Sequence, residues 1–305
     1  MKEESTLKQH NGLKELKDLN LLDRFLFAET VEDPETLADI LEIILGKDVV
    51  LRQLPQTEKE ERVRLWSKQV RLDVWARDED HSVYETEVQN RNTGNLPRRM
   101  RLYHGIIDSR LLPPGEIDYN KLPDVFLILI APFDLFGKGR FRYTFQNMCK
   151  EVPGLALDDG AIRIFLNTRG QVQEGVSQEL IDLLRYFEHS TEETAAASES
   201  ERIHRLQKRV ETIRSSEEMG VKFMNAWEER ILDREEAFAD GKKEGREEGR
   251  EEGLEEGLEK GLKKGLQQGL EEGRKEIALK LKIKGMEVHE IAEITGISPE
   301  EAEKL

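Results

Sequence analysis

The sequence predicts an α/β protein, a mixed sheet flanked by helices with a helical C-terminal extension, and three observations predict it. First, residues 68–77 (KQVRLDVWAR) and 83–89 (VYETEVQ) alternate apolar and polar side chains with the period of a strand. The turn-forming loop DEDHS joins them into an antiparallel hairpin. Second, residues 124–131 (DVFLILIA) form a short, almost wholly apolar run, the mark of a strand buried on both faces. Third, helical patterns stand on either side of these strands, which is the order of a layered α/β sandwich.

The elements follow in chain order. Residues 19–45 read as helices interrupted at Pro34 and closed by Gly46 at a C′-like position. Residues 49–55 (VVLRQLP) are a candidate strand. In the hairpin, Val70, Leu72, Val74 and Ala76 share one face, and Arg71, Asp73 and Trp75 the other. Across the loop, Tyr84, Thr86 and Val88 oppose Glu85, Glu87 and Gln89. Residues 94–112 are a helix candidate stopped by Pro113-Pro114-Gly115, and residues 140–145 and 161–166 read as further strands. By composition the chain divides into residues 1–190, which hold nearly all the aromatics and prolines, a polar helical segment at 191–240, a glycine repeat at 241–275 and a small helical tail at 276–305.

Composition limits the function classes. Of 305 residues 36% are charged and 37% hydrophobic, so part of the chain must be solvated helix or linker. The single cysteine, Cys149, excludes an intramolecular disulfide and any Cys-rich zinc site, and fits a reducing compartment. The start MKEESTLKQH has no apolar signal core, and no window approaches the ~18 apolar residues of a membrane span. A soluble, cytoplasmic protein without membrane contact is expected. The net charge of −16 argues against a surface coated by nucleic acid, yet residues 91–110 hold five arginines against one aspartate. DNA binding at that stripe is compatible with the rest, with few phosphate contacts and strong salt sensitivity.

The hairpin carries the chemistry. If Arg77 pairs with Val83, Asp73 falls directly opposite Glu87, with Cβ atoms ~4.5–5.5 Å apart. Two facing carboxylates repel, and a divalent cation between them removes the conflict. Hard oxygen ligands suit Mg²⁺ or Mn²⁺, with water and a substrate phosphate completing the coordination. Such a metal favours phosphodiester hydrolysis. The bland alternative is a pair of solvent-facing acids on a two-stranded ribbon, and a one-residue slip would separate them.

The run RLDVWARDEDHSVYETEVQ, followed by RRMRLYHGIIDSRLLPPGEIDYNKLPDVFLILIAPFDLFGKGRFRYTF, resembles the PD-(D/E)XK nuclease family transposases, also called Rpn recombination-promoting nucleases. The resemblance covers roughly residues 19–170. It rests on blocks in order: the Asp strand, the Glu-x-Gln strand, the arginine helix ending in DSRLL, and FDLFGKGRFRYTF. It implies a restriction-endonuclease-like fold, metal-dependent DNA cleavage, and a role in recombination or in defence against foreign DNA. By that resemblance Asp73 is the first catalytic acid, Glu87 the acid of the (D/E)XK element, and Gln89 stands at its lysine position. The carbonyl of Val88 is then a further metal ligand, and Asp23 is the acid contributed by the first helix, with an N-cap as its alternative role. Lysine at position 89 would orient the attacking water and stabilise charge; glutamine supplies only the hydrogen bonding. Arg71, on the strand face of Asp73, is the candidate for the missing positive charge.

Arg91, Arg98, Arg99 and Arg101 follow the Glu strand directly, with Arg98 and Arg101 on one helix face and Arg99 beside it. They are candidate phosphate contacts that position DNA without reading its sequence; ordinary surface ion pairing is the alternative. In the repeat, glycines recur every fourth residue from Gly241 to Gly273, with leucines following from Leu254 to Leu270. Two readings stand: a helix that associates through its glycine stripe, giving a homo-oligomer, or a charged linker. The tail carries a capping box at Ser298–Glu301 but too short and acidic a final helix to read a DNA groove, so it reads as a protein-contact element. The expectation is a Mg²⁺- or Mn²⁺-dependent DNA endonuclease. The alternative is a weak or inactive nuclease-fold protein that binds DNA or a partner through its repeat.

Overall fold

The computed structural model describes residues 14–52, 54–61 and 70–305, with the side chains of residues 58–61 and 70–72 left aside. The chain divides into two compact units, one ending at Asn225 and one running from Ala226 to Leu305. No helix among the described residues is long and apolar enough to cross a membrane.

The first unit is built on a six-stranded mixed sheet in the order β1-β2-β3-β4-β6-β5. Its strands are β1 (Gln56–Glu61), β2 (Val70–Arg77), β3 (Val83–Val88), β4 (Val125–Ala131), β5 (Arg142–Phe145) and β6 (Ala161–Asn167). β4 lies parallel to both β3 and β6, and every one of its residues is buried, which is why its sequence is continuously apolar. β2 runs antiparallel to both its neighbours, β1 and β3, as β5 does to β6.

The hairpin has the register read from the sequence, with Arg77 paired to Val83 and Val74 to Thr86. The Asp78 carboxylate holds its loop, accepting from the Ser82 backbone N–H at 2.8 Å and the Tyr84 hydroxyl at 2.6 Å. His81, at φ 68°, takes the left-handed conformation that closes the turn.

One strand expectation is corrected. Among the described residues of 49–55 none lies in a strand; Leu51 makes only an isolated bridge to Asp78, and the edge strand is the polar stretch Gln56–Glu61 just after Pro55. An edge strand is held by backbone pairing on one side and requires no apolar run. The apolar Val49 is instead buried where its N–H donates to Glu42.

Helices cover the sheet. α1 (Arg24–Val31) and α2 (Pro34–Leu45) are each N-capped by the aspartate before them, and α2 ends at Gly46 with φ 69°. α3 (Leu96–Asp108) lays Leu96, Met100, Tyr103, Ile106 and Ile107 against Val83, Leu127, Leu129 and Phe165, forming the core on one face. α4 (Gln178–Glu188) packs on α2, α6 (Glu201–Ser215) packs on both α1 and α2, and the short α5 (Glu192–Ala196) lies against α4 and α6. Phe27 meets Phe187 with ring centroids 5.8 Å apart, and Arg205 grips Asp39 through two hydrogen bonds. The unit runs past residue 190 because α6 is amphipathic and buries Ile203, Leu206, Val210 and Ile213.

The glycine repeat lies within one continuous helix, α7 (Glu217–Ile283). At its end α8 (Val288–Thr295) and α9 (Pro299–Lys304) form a small core of Ala278, Ile291, Ile297 and Ala302. The Ser298–Glu301 capping box is present.

Candidate active site

One step beyond the Val74–Thr86 pair, the register brings Asp73 across from Glu87. Glu85, two residues earlier on β3, points to the same side of the sheet, the side that α3 covers. None of the three faces solvent. Asp73 and Glu87 are each 4% exposed and Glu85 0%. The two-stranded ribbon of the bland reading has become the inner part of a six-stranded sheet, so the acids sit under a helix.

Each outer acid has a cationic neighbour. Arg24 Nη2 lies 2.7 Å from Asp73 Oδ1, and Arg99 Nη2 lies 2.5 Å from Glu87 Oε1. The Gln89 amide donates to the same Glu87 oxygen at 3.2 Å, and the Gln89 N–H continues the ladder to the Ile130 carbonyl at 2.9 Å. Glu87 Oε2 and both oxygens of Glu85 are buried with no hydrogen-bond partner among the described residues. Burial, then the charges of Glu87 and Asp73, push the Glu85 carboxyl well above its usual range, against the pull of Arg99. Tyr103, whose ring lies under the Arg99 guanidinium at 5.8 Å, is pushed up to about 12, chiefly by burial and then by Glu87.

The other expected residues fall around this centre. Asp23 serves as the N-cap of α1, its Oδ1 accepting from the Phe25 N–H at 3.0 Å. Its chain neighbours both reach the site region: Leu22 accepts from the Asn90 amide just after β3, and Arg24 pairs with Asp73. Val88 is buried in β3 beside Ile130. Of the arginines, Arg99 turns inward to Glu87, while Arg91, Arg98 and Arg101 are exposed. The backbone of Arg71 lies in β2; its side chain is outside the described residues. His104 stands apart. It is buried on α3 beside Asp108 and held down to about 4 by burial and then by Arg163.

Sequence reasoning missed Glu85 and Arg24. The signal for Glu85 was present, since it alternates in phase with Glu87, but only closure of the sheet by β4 and α3 turns that face inward. Arg24 carried no signal, because its proximity to Asp73 is purely tertiary.

Among the described residues no group of three or more Asp, Glu, His or Cys side chains is placed so that it could hold a metal ion. Two hard carboxylate donors are nonetheless present, which is the oxygen chemistry a divalent cation takes. Glu87 keeps an unpartnered buried oxygen aligned across from Asp73, and two arginines offset the charge that a divalent cation would offset.

A mixed sheet flanked by helices, with opposed acids on its antiparallel hairpin, is the architecture of a PD-(D/E)XK nuclease fold. The chain belongs to the PD-(D/E)XK nuclease family transposases, whose family model matches residues 22–241. No curated protein and no solved structure matches it. Membership puts the chain, in general class, among the nuclease hydrolases and implies DNA as substrate.

Proposed function

We propose that the chain is a metal-dependent DNA endonuclease, acting on phosphodiester bonds in recombination or in defence against mobile DNA. The observation that carries this reading is the buried opposition of Asp73 and Glu87, with one Glu87 oxygen unpartnered. Asp73, Glu87 and the Val88 carbonyl would hold the cation, Mg²⁺ or Mn²⁺ by the hardness of those oxygens. When bound, it supplies Lewis-acid stabilisation of phosphate charge and a more acidic water.

The remaining work falls to the chain itself. Gln89 holds the Glu87 carboxylate in place through its amide and has hydrogen-bonding capacity to orient a water, but it carries no charge to offset a developing anion. Arg24 and Arg99 supply that charge, since a planar guanidinium matches a phosphate as well as a carboxylate. Exposed Arg91, Arg98 and Arg101 contact the DNA backbone and set its position. Asp23 stays in the proposal as an acid at the edge of the site, beyond its role as a cap. A cytoplasmic setting belongs to the same proposal, supported by the single cysteine.

The test is cleavage of plasmid DNA by purified protein with Mg²⁺ or Mn²⁺, beside Asp73→Ala. Loss of cleavage in the variant is expected; undiminished cleavage would remove Asp73 from the mechanism. A second reading, a nuclease-fold protein that binds without cutting, is favoured by Gln89 and by the ion pairs that Asp73 and Glu87 already make with Arg24 and Arg99. Wild-type protein that binds DNA yet leaves it intact with either metal would establish it.

A further inference from the structure

The block FDLFGKGRFRYTF (residues 133–145) takes no part in the site around Asp73 and Glu87, yet the fold holds it closely. It leaves the carboxyl end of β4, passes the end of β6 and turns back into β5. The Asp134 carboxylate accepts from the Phe136 N–H at 3.0 Å, the Gly139 N–H at 2.6 Å and the Tyr143 hydroxyl at 2.7 Å. The Tyr143 oxygen in turn accepts from the Lys138 and Arg140 N–H groups, each at 3.2 Å. A second loop is tied on, since the Gly139 carbonyl accepts from the Gln171 and Val172 N–H groups at 2.7 and 2.9 Å. Gly137 and Gly139, at φ 67° and 68°, supply the left-handed turns on either side of Lys138.

What this framework displays is a single charge. Residues 135–150 hold four cations and no acid, in a chain whose net charge is −16. Arg142 turns away to the Ile44 carbonyl at 2.9 Å, and Arg140 reaches Glu174 at 3.4 Å. Lys138 is exposed, and its ammonium has no ion-pair partner among the described residues. The loop lies on the sheet face that carries the acids, because Leu135 and Phe136 pack on the core that α3 covers. It also lies at the end where β3 finishes in Glu87 and Val88, the carboxyl end at which parallel strands meet their ligands. In the sheet order β6 stands two places from β3, about 10 Å at ~4.8 Å per strand. The rim of the site therefore has two cationic positions. Arg91, Arg98 and Arg101 occupy the one that follows β3, and Lys138 the one beyond β6.

We infer that Lys138 is a second phosphate contact and that the DNA it serves is double-stranded, with Arg91, Arg98 and Arg101 on the backbone of one strand and Lys138 on that of the other. The spacing is close to the ~12 Å width of a major groove, whose two walls are different strands. A single strand is held chiefly by bases stacked on exposed rings. The rings of this loop, Phe133 and Phe136, pack into the core instead, Phe136 edge-on to Phe165 at 5.2 Å. Tyr143 is a positioning residue, since its hydroxyl holds the backbone at Lys138 and acts on DNA only through it. Phosphate contacts of this kind set where the duplex lies over the acids without reading its sequence. The inference rests on the nuclease reading of Asp73 and Glu87.

The experiment uses the full chain, in chelator so that nothing is cut. It follows binding of a labelled duplex, and of one of its strands alone, by fluorescence anisotropy across a salt series. Lys138→Ala is expected to weaken duplex binding and to lower its salt slope by about 0.9, the share of one phosphate, with single-strand binding unchanged. Lys138→Arg is expected to keep the wild-type slope. Tyr143→Phe keeps the charge but frees its backbone, so duplex binding should weaken while the slope is retained. A duplex slope unchanged in Lys138→Ala, or an equal loss on duplex and single strand, would overturn the inference and leave the nuclease reading standing. Tyr143→Phe that binds duplex as wild type does would overturn the positioning role. Wild-type protein that binds neither form of DNA would remove the nuclease reading and this inference with it.

Discussion

Glu85 offers the sharpest test of the electrostatics, through Glu85→Leu measured in chelator. The side chain is wholly buried, neither oxygen has a hydrogen-bond partner among the described residues, and two further carboxylates share its side of the sheet. Trp75 on one side and Leu127 on the other offer an apolar lining for the replacement. Removing an unpartnered buried polar group recovers roughly 1–3 kcal/mol on mutational scales. For a unit of this size each kcal/mol moves Tm by about 2–4 °C, so the variant should melt about 2–12 °C higher near neutral pH.

The pH dependence gives the sign. The folded Glu85 carboxyl has its pKa raised, so the folded state holds the proton more tightly than the unfolded one. Stability linked to that proton is complete below the ordinary glutamate range and is lost as pH climbs through it toward the raised value. The Tm gap between variant and wild type should therefore widen from pH 4 to pH 8, by up to about 1.4 kcal/mol for every tenfold by which folding tightens the hold on the proton. Calorimetric melts at four or five pH values read this directly. A gap that is constant with pH, or a variant less stable than wild type at pH 8, would refute the reasoning.

Two further outcomes test the proposed chemistry. Replacing Arg98 and Arg101 by alanine should weaken DNA binding for all sequences alike and lower the salt slope by roughly 1 for each phosphate that is no longer neutralised, read by fluorescence anisotropy across a salt series; an unchanged slope would return both to ordinary surface residues. Gln89→Lys should raise the single-turnover cleavage rate about tenfold, equal to ~1.4 kcal/mol of transition-state stabilisation, and a fall in rate would show that the amide does more than hold Glu87.

Local rules carried much of this protein. Alternation and a five-residue loop were enough for the hairpin and its register, because side-chain period and turn length leave little choice once one face must be buried. The apolar run of β4 declared a strand covered on both sides, and Pro34, Gly46 and Ser298 marked helix ends through backbone chemistry that needs no distant partner. The facing positions of Asp73 and Glu87 followed from that register, while their role was read only from the family resemblance. Tertiary structure decided what those acids experience. Parallel pairing with β4 and the cover of α3 took Glu85 out of water, brought Arg99 onto Glu87 and set Arg24 beside Asp73. It also made a polar stretch, not the apolar run before it, the edge strand. Burial and ion pairing between residues far apart in sequence depend on which surfaces meet, and no local pattern encodes that.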